Sequence, residues 1–326
     1  MSRQPAVVAV DLGGTNVRLA LVTRTGEILD RWERATATMP DQESLIQGLA
    51  ADLRRYDEAA RSRDLEVRAA GLGVPGRVLP REGRVVFSPN VPALNDCPLV
   101  PRLRSLVDWP LFLENDANLF ALGEYWLGAG QGQPHMLGIT LGTGVGGGLI
   151  LNGRLWSGTQ GTAAEVGHMS LDPDGDRCHC GNWGCLETLA SATWTVAWVK
   201  KQLAQGAFSW LRELYETDPE ALGGEALVAA ARQGDPLALR AFERVGRSLG
   251  VAIANVVHLL GLPHVVIGGR FARAWELFQL PLRQELYRRL TLFPKEGVQV
   301  TPAQLGDDAG LMGAARLAWD MVGSKQ

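Results

Sequence analysis

Cys178, Cys180 and Cys185 fall within eight positions, in the run CHCGNWGC, and the chain has one other cysteine, Cys97. Thiols this close can form a disulfide, a redox pair or a metal site. Neither Cys178/Cys180 nor Cys180/Cys185 has the C-x-x-C spacing of a redox pair. An iron–sulfur cluster wants a fourth cysteine, and the distant Cys97 reads as a small buried filler. What the pattern favours is structural Zn²⁺, for which three cysteines and one histidine are an accepted tetrahedral set. Two histidines are candidates: His168, ten positions upstream, and His179, between two of the thiols.

A second chemistry is written in glycine. DLGGTN (11–16) and LGTGVGG (141–147) each follow an apolar run and precede another. Gly142, Gly144 and Gly147 satisfy the dinucleotide fingerprint, but that fingerprint must open a helix, and GGLILNG reads as a second strand. No G-x-x-x-x-G-K-[ST] occurs, so a P-loop is excluded. The expectation is a pair of hairpin turns whose backbone N–H groups approach an anion closely. Thr15 and Thr143 add hydroxyl donors, and Asp11 could hold Mg²⁺ through water.

The third group is Asp116, just beyond the apolar run LFLE and before a helical pattern. An aspartate in that place is often the helix N-cap. Aimed from a strand end it is also a candidate general base, a recurring part of phosphoryl transfer to a hydroxyl.

These groups need a scaffold. The two glycine stretches repeat one design, with Val10 falling on Ile139, Gly13 on Gly142 and Leu21 on Ile150, and each turns again into a further strand. That suggests two related domains. Strands are expected at Ala69–Val74, Leu111–Leu113, Val265–Ile267 and Val298–Thr301. Helices are expected at Ser44–Tyr56, Asn118–Leu127, Gly224–Arg232, Pro236–Leu260 and Ala309–Met321. The alternation argues for an α/β protein with mixed sheets. At 326 residues, 46% of them hydrophobic, the chain suits two domains better than one.

A net charge of −3 and a pI near 6.0 give no sign of a nucleic-acid partner. The opening MSRQPAVVAVDLGG lacks the features of a signal peptide. The longest apolar region, 249–269, is broken by Asn255, His258, Pro263 and His264. It reads as a core helix, a turn and a buried strand rather than a membrane span. A cytoplasmic protein is expected, where clustered cysteines bind metal more often than they form disulfides.

In order along the chain, DLGGTN, SPNVP, ENDAN, LGTGVGGG, EVGH, CHCGNWGCLE, VVIGG and LGDDAGLMGAA together resemble the ROK sugar kinases. The resemblance implies a two-domain actin-like ATPase fold, duplicated and ribonuclease H-like, with mixed sheets flanked by helices and an interdomain cleft. Its domains would be 1–115 with 310–326, and 116–309. Asp116 would deprotonate the sugar 6-hydroxyl for attack on the γ-phosphate of ATP. Asn90, Asn115, Glu165, His168 and Glu187 would hold the sugar, as amides and carboxylates suit hydroxyls; Gly76 and Arg77 line that pocket in some relatives. Gly13, Gly14, Thr15, Asn16, Gly142, Thr143 and Gly144 would wrap the phosphates, and Gly268 and Gly269 would pass near the adenosine.

The resemblance also chooses His168 as the fourth zinc ligand, since the ring of His179 would point away from a metal held by its neighbours. Trp183, Arg270 and Ala192 depart from the usual pattern, which leaves the nucleotide contact at Arg270 open. The family contains sugar-responsive repressors with a DNA-binding segment ahead of the first glycine motif, a segment not expected here. The implied partners are a hexose and Mg·ATP, with glucose favoured over N-acetylglucosamine, N-acetylmannosamine, fructose or allose. No nucleic acid or membrane is implied, and the assembly would be a homodimer or homotetramer.

Overall fold

A computed structural model describes residues 3–323. Cα proximity divides the chain into two compact units: Met1–Pro134, Gly148–Ala164 and Gln304–Gln326 form one, and His135–Gly147 with Glu165–Ala303 form the other. In chain order the elements begin β1 (Gln4–Leu12), β2 (Asn16–Val22), β3 (Ile28–Ala35), α1 (Gln42–Ser62), β4 (Leu65–Val74), β5 (Arg77–Leu79) and β6 (Arg84–Phe87). They continue α2 (Leu99–Arg104), β7 (Leu111–Asn115), α3 (Asp116–Leu127), β8 (Met136–Leu141), β9 (Val145–Leu151) and β10 (Arg154–Leu155). After the cysteine loop come α4 (Leu186–Ala190), α5 (Ala192–Ala204), α6 (Arg212–Thr217), α7 (Gly224–Gln233) and α8 (Pro236–Leu260). The chain closes with β11 (His264–Gly268), α9 (Trp275–Arg289), β12 (Gln299–Pro302) and α10 (Ala309–Gly323).

The internal repeat seen in the sequence is real at the level of topology. One five-stranded sheet runs β3-β2-β1-β4-β7 and the other β10-β9-β8-β11-β12. Element by element the orders correspond, with antiparallel outer strands β2/β3 and β9/β10, and parallel pairs β1/β4, β4/β7, β8/β11 and β11/β12. Ala6 to Val10 of β1 are fully buried, which is why that strand reads as a continuous apolar run instead of an alternating one.

Register decides what stands at the carboxyl ends of the strands, where open α/β sheets bind their ligands. In the first sheet Asp11 lies beside Gly73, and Gly73 beside Glu114. In the second, Gly268 lies beside Thr140, so VVIGG ends next to the second glycine turn.

Helix α8 matches its expected bounds because its punctuation is complete. Asp235 caps Ala238 N at 2.8 Å, Pro236 opens the helix, and Gly261 closes it at φ 65°. Helix α10 packs in the first unit, and small residues let it come very close. A Cβ added at Gly313 would sit 1.8 Å from Leu119 O, at Gly123 2.1 Å from Ala309 O, and at Gly71 2.0 Å from Ala314 O. All three obstacles are backbone, which cannot swing aside. Gly313→Ala is therefore expected to destabilise the protein by about 3 kcal/mol through overpacking, read as a lower urea midpoint. An unchanged midpoint would show that the α3–α10 contact is looser than described. Among the described residues, no helix is long and apolar enough to cross a membrane.

Candidate active site and metal centre

In the first unit, the junction of β7 and α3 sets the stage. The N-cap of α3 is Asn115, not Asp116: its Oδ1 accepts from Ala117 N (2.9 Å) and Asn118 N (3.2 Å). Its Nδ2 donates to Gly76 O at 3.0 Å, so Asn115 also holds the turn after β4. Asp116 is thus the first helical residue, with Oδ1 accepting from Ala117 N at 2.9 Å. Gly76 must be glycine, since its φ is 99° and a Cβ would lie 2.2 Å from Phe87 O. Arg77 follows it and is exposed.

The first glycine turn is closed by Gly13 N donating to Asn16 O at 2.9 Å. Thr36 secures it twice, through Thr36 N to Thr15 O (2.8 Å) and Thr36 Oγ1 to Gly13 O (2.7 Å). Gly14 abuts Asn90, whose carbonyl would be 3.0 Å from a Cβ there, so two sequence-predicted motifs touch. Asn16 donates its side-chain amide to Glu33. Asp11 pairs with Arg18 across the β1/β2 ladder; burial raises its carboxyl, and the Arg18 charge and hydrogen bond act the other way.

One member of this junction, Glu114, was not singled out from sequence. Glu114 is buried and accepts from Asn115 N (2.9 Å), Asn118 Nδ2 (3.0 Å) and Ser157 Oγ (2.7 Å). Burial raises its carboxyl despite those three donors. The available signal was an acid ending the apolar run LFLE, where a buried strand position calls for a hydrogen-bonded polar group.

In the second unit, Glu187 draws the motifs together. Its Oε2 accepts from Val145 N at 3.0 Å, and a Cβ on Gly144 would meet that oxygen at 2.4 Å. Gly167 of EVGH lies so near Val145 that a Cβ would be 2.0 Å from its carbonyl. The turn itself is closed by Gly142 N to Gly144 O (3.0 Å), and Ala192 N donates to Gly142 O (2.9 Å), leaving Thr143 exposed. Gly269, at φ 91°, presses on Leu141 with 2.4 Å between a notional Cβ and its carbonyl. Glu165 is exposed as a residue, yet desolvation raises its carboxyl; His168 acts the other way and Glu187 adds to the rise.

The cysteine loop returns to the same place. One ligand atom each from His168, Cys178, Cys180 and Cys185 lies within 4.8 Å of all the others. Cys180 Sγ is 3.7 Å from Cys185 Sγ, and Cys178 Sγ is 3.8 Å from His168 Nδ1. A tetrahedral Zn²⁺ with bonds of ~2.3 Å to sulfur places its sulfurs about 3.8 Å apart, so spacing and donor set both fit that ion. His179 turns elsewhere, its ring 5.5 Å from that of Trp194. Burial pushes the Cys178 thiol up to about 12 and raises Cys185 as well, so a metal taking them as thiolates displaces their protons. Trp183 is half exposed, with the Arg177 guanidinium 6.0 Å from its ring centre.

The ROK family profile matches residues 7–321. The chain belongs to the ROK family. It is 36% identical over 317 residues to a glucokinase from Thermotoga maritima, covering 97% of this chain and 98% of that one. The ROK hexokinase from Thermus thermophilus superposes with a TM-score of 0.83 at 32% identity, over 98% and 99% of the two chains. A ROK family glucokinase from Streptomyces griseus, in complex with glucose and AMPPNP, gives 0.79 at 35% identity, over 97% and 99%. The duplicated pair of sheets is therefore the actin-like ATPase fold, and this ROK member groups with the sugar kinases.

Proposed function

We propose that this ROK sugar kinase transfers the γ-phosphoryl group of ATP to the 6-hydroxyl of a hexose, with D-glucose as its preferred acceptor. The observation that carries this reading is the full-length likeness to the Streptomyces griseus enzyme, whose structure holds glucose and AMPPNP.

In the reaction, Asp116 accepts the proton of the attacking hydroxyl. Asn115 supports that role by taking over the cap of α3, which leaves the carboxylate next to it at the end of β7. Asn90, Asn115, Glu165, His168 and Glu187 bind the sugar hydroxyls, with Gly76 and Arg77 at the margin. Gly13, Gly14, Thr15 and Asn16, together with Gly142, Thr143 and Gly144, donate to the phosphates. Gly268 and Gly269 border the adenosine, and Asp11 meets the Mg²⁺ of the nucleotide through water. His168, Cys178, Cys180 and Cys185 hold a structural Zn²⁺, which supplies rigidity and no chemistry of its own. Cytoplasmic residence and assembly as a homodimer or homotetramer belong to the same reading.

A coupled assay with Mg·ATP over glucose, fructose, allose, N-acetylglucosamine and N-acetylmannosamine tests it. The expected result is the highest kcat/KM on glucose. A clear preference for N-acetylmannosamine would overturn the glucose assignment while leaving the kinase intact.

A further inference from the structure

Away from the residues assigned above, one recess in the second unit gathers side chains that phosphoryl transfer does not use. Its volume is about 450 Å³, within the range of small-molecule pockets. Arg240, Glu243, Arg244 and Arg247 line it from α8, at spacings of three and four that share one helix face. Trp198 of α5 lies among them, with the guanidinium carbons of Arg240 and Arg244 5.9 and 5.7 Å from its ring centre. Glu285 and Arg289 of α9 also line it, with apolar surface from Leu171, Leu189 and Val251.

The charge does not cancel. Glu285 is already held by Arg288 and Arg289, at 2.7 and 2.5 Å. Among the lining residues, that leaves Arg240, Arg244 and Arg247 against Glu243. Arg240 and Arg247 are exposed, and no ion pair engages either among the described residues. An open recess with surplus guanidinium groups, an aromatic face and an aliphatic side has the chemistry of a site for a small anion with a carbon skeleton. Guanidinium forks match the oxygens of phosphate.

Arg244 gives the recess a physical link to the rest of the unit. Its two terminal nitrogens donate to Leu189 O (3.1 Å) and Thr188 O (3.2 Å), at the end of α4. Helix α4 carries Glu187, the residue bonded to Val145 N. Burial works against the Arg244 charge, which Asp176 and Asp172 partly support, so an anion arriving here adds to that support and changes what the side chain gains from its present contacts.

We infer that this recess binds a small phosphate ester, distinct from the sugar and nucleotide substrates, and that its occupancy reaches Glu187 through Arg244. The second half rests on the proposed role of Glu187 in holding the sugar. Linkage then requires reciprocity: an ester that changes sugar affinity must itself bind differently when sugar is present.

Calorimetry on the intact protein tests the site, with phosphoglycolate as the ester and inorganic phosphate as the bare anion. Saturable phosphoglycolate binding is expected, stronger than that of phosphate and weakened by salt. The double variant Arg240→Ala/Arg247→Ala should lose about tenfold or more in affinity, with kcat and KM unchanged when no ester is present. Arg244→Lys keeps the charge but not the fork, so it should still bind the ester while losing any effect of the ester on the glucose KM. Absence of saturable binding, or equal binding by the double variant, overturns the site. Phosphate binding as tightly as phosphoglycolate overturns the ester, and a wild-type glucose KM unmoved by bound phosphoglycolate overturns the coupling. Because calorimetry needs no turnover, failure of the site is distinguishable from failure of the proposed kinase reaction.

Discussion

Asp116→Asn is expected to give a folded protein that binds glucose almost normally and phosphorylates it about 10²–10⁴-fold more slowly, the usual size of a general-base contribution. The substitution is close to a pure test of basicity. Asn115 caps α3, so no cap is lost, and the oxygen that accepts from Ala117 N is retained by an amide. What disappears is one negative charge in the first turn of a helix, worth about 0.3–1 kcal/mol at most sites, a small shift in melting temperature. The loss should therefore fall on kcat, with glucose affinity by calorimetry nearly intact. A variant retaining a tenth or more of the wild-type rate would remove Asp116 from the role of base.

Cys180→Ser should separate the other way, with metal and sugar affinity falling together. Cys180 is the exposed member of the cluster, so its replacement leaves no large cavity, and the effect reports on the ion. Metal affinity should drop by more than about a hundredfold, since even outer-shell changes cost 10–100-fold. The glucose KM should rise about tenfold or more, the scale of one lost charge-assisted hydrogen bond. The reason is local: Cys185 directly precedes α4, and Cys178 Sγ is 3.6 Å from Glu187 Oε1. If elemental analysis of the wild type showed no zinc, or the variant kept full metal and full sugar affinity, the clamp reading would fail.

How much of this could be read from the residues depended on whether the signal was local. Helix α8 was legible to the residue because its cap and opening proline at one end and its closing glycine at the other directly flank the helical pattern. The duplicated strand–turn–strand units were legible because buried strands and glycine turns repeat at matching positions. Helix α9 was not, since Pro281 lies inside it and reads as a breaker. Tertiary packing overrides that, with Gly246 of α8 making room for the proline ring, only 2.8 Å from a notional Cβ. Helix α5 was hidden by ATWTVAW, whose threonines, valine and tryptophans are indifferent helix formers.

The site shows the same division. The cysteines, the glycine turns and Asn115–Asp116 announce themselves by type and spacing. Glu114's contact with Ser157 and Arg244's with the end of α4 join residues 43 and more apart. No spacing rule finds such pairs, because a serine hydroxyl or a backbone carbonyl that distant in sequence carries no mark of its partner.

The tight seating of α10 also bears on how the protein is made. The helix that covers α3 and β4 leaves the ribosome only after the whole second unit has been synthesised. Until then β4 and α3 present an uncovered face shaped by Gly71 and Gly123, and the first unit cannot be completed before the second has been synthesised. A nascent chain stalled before Ala309 would thus expose apolar surface on the half that was translated first.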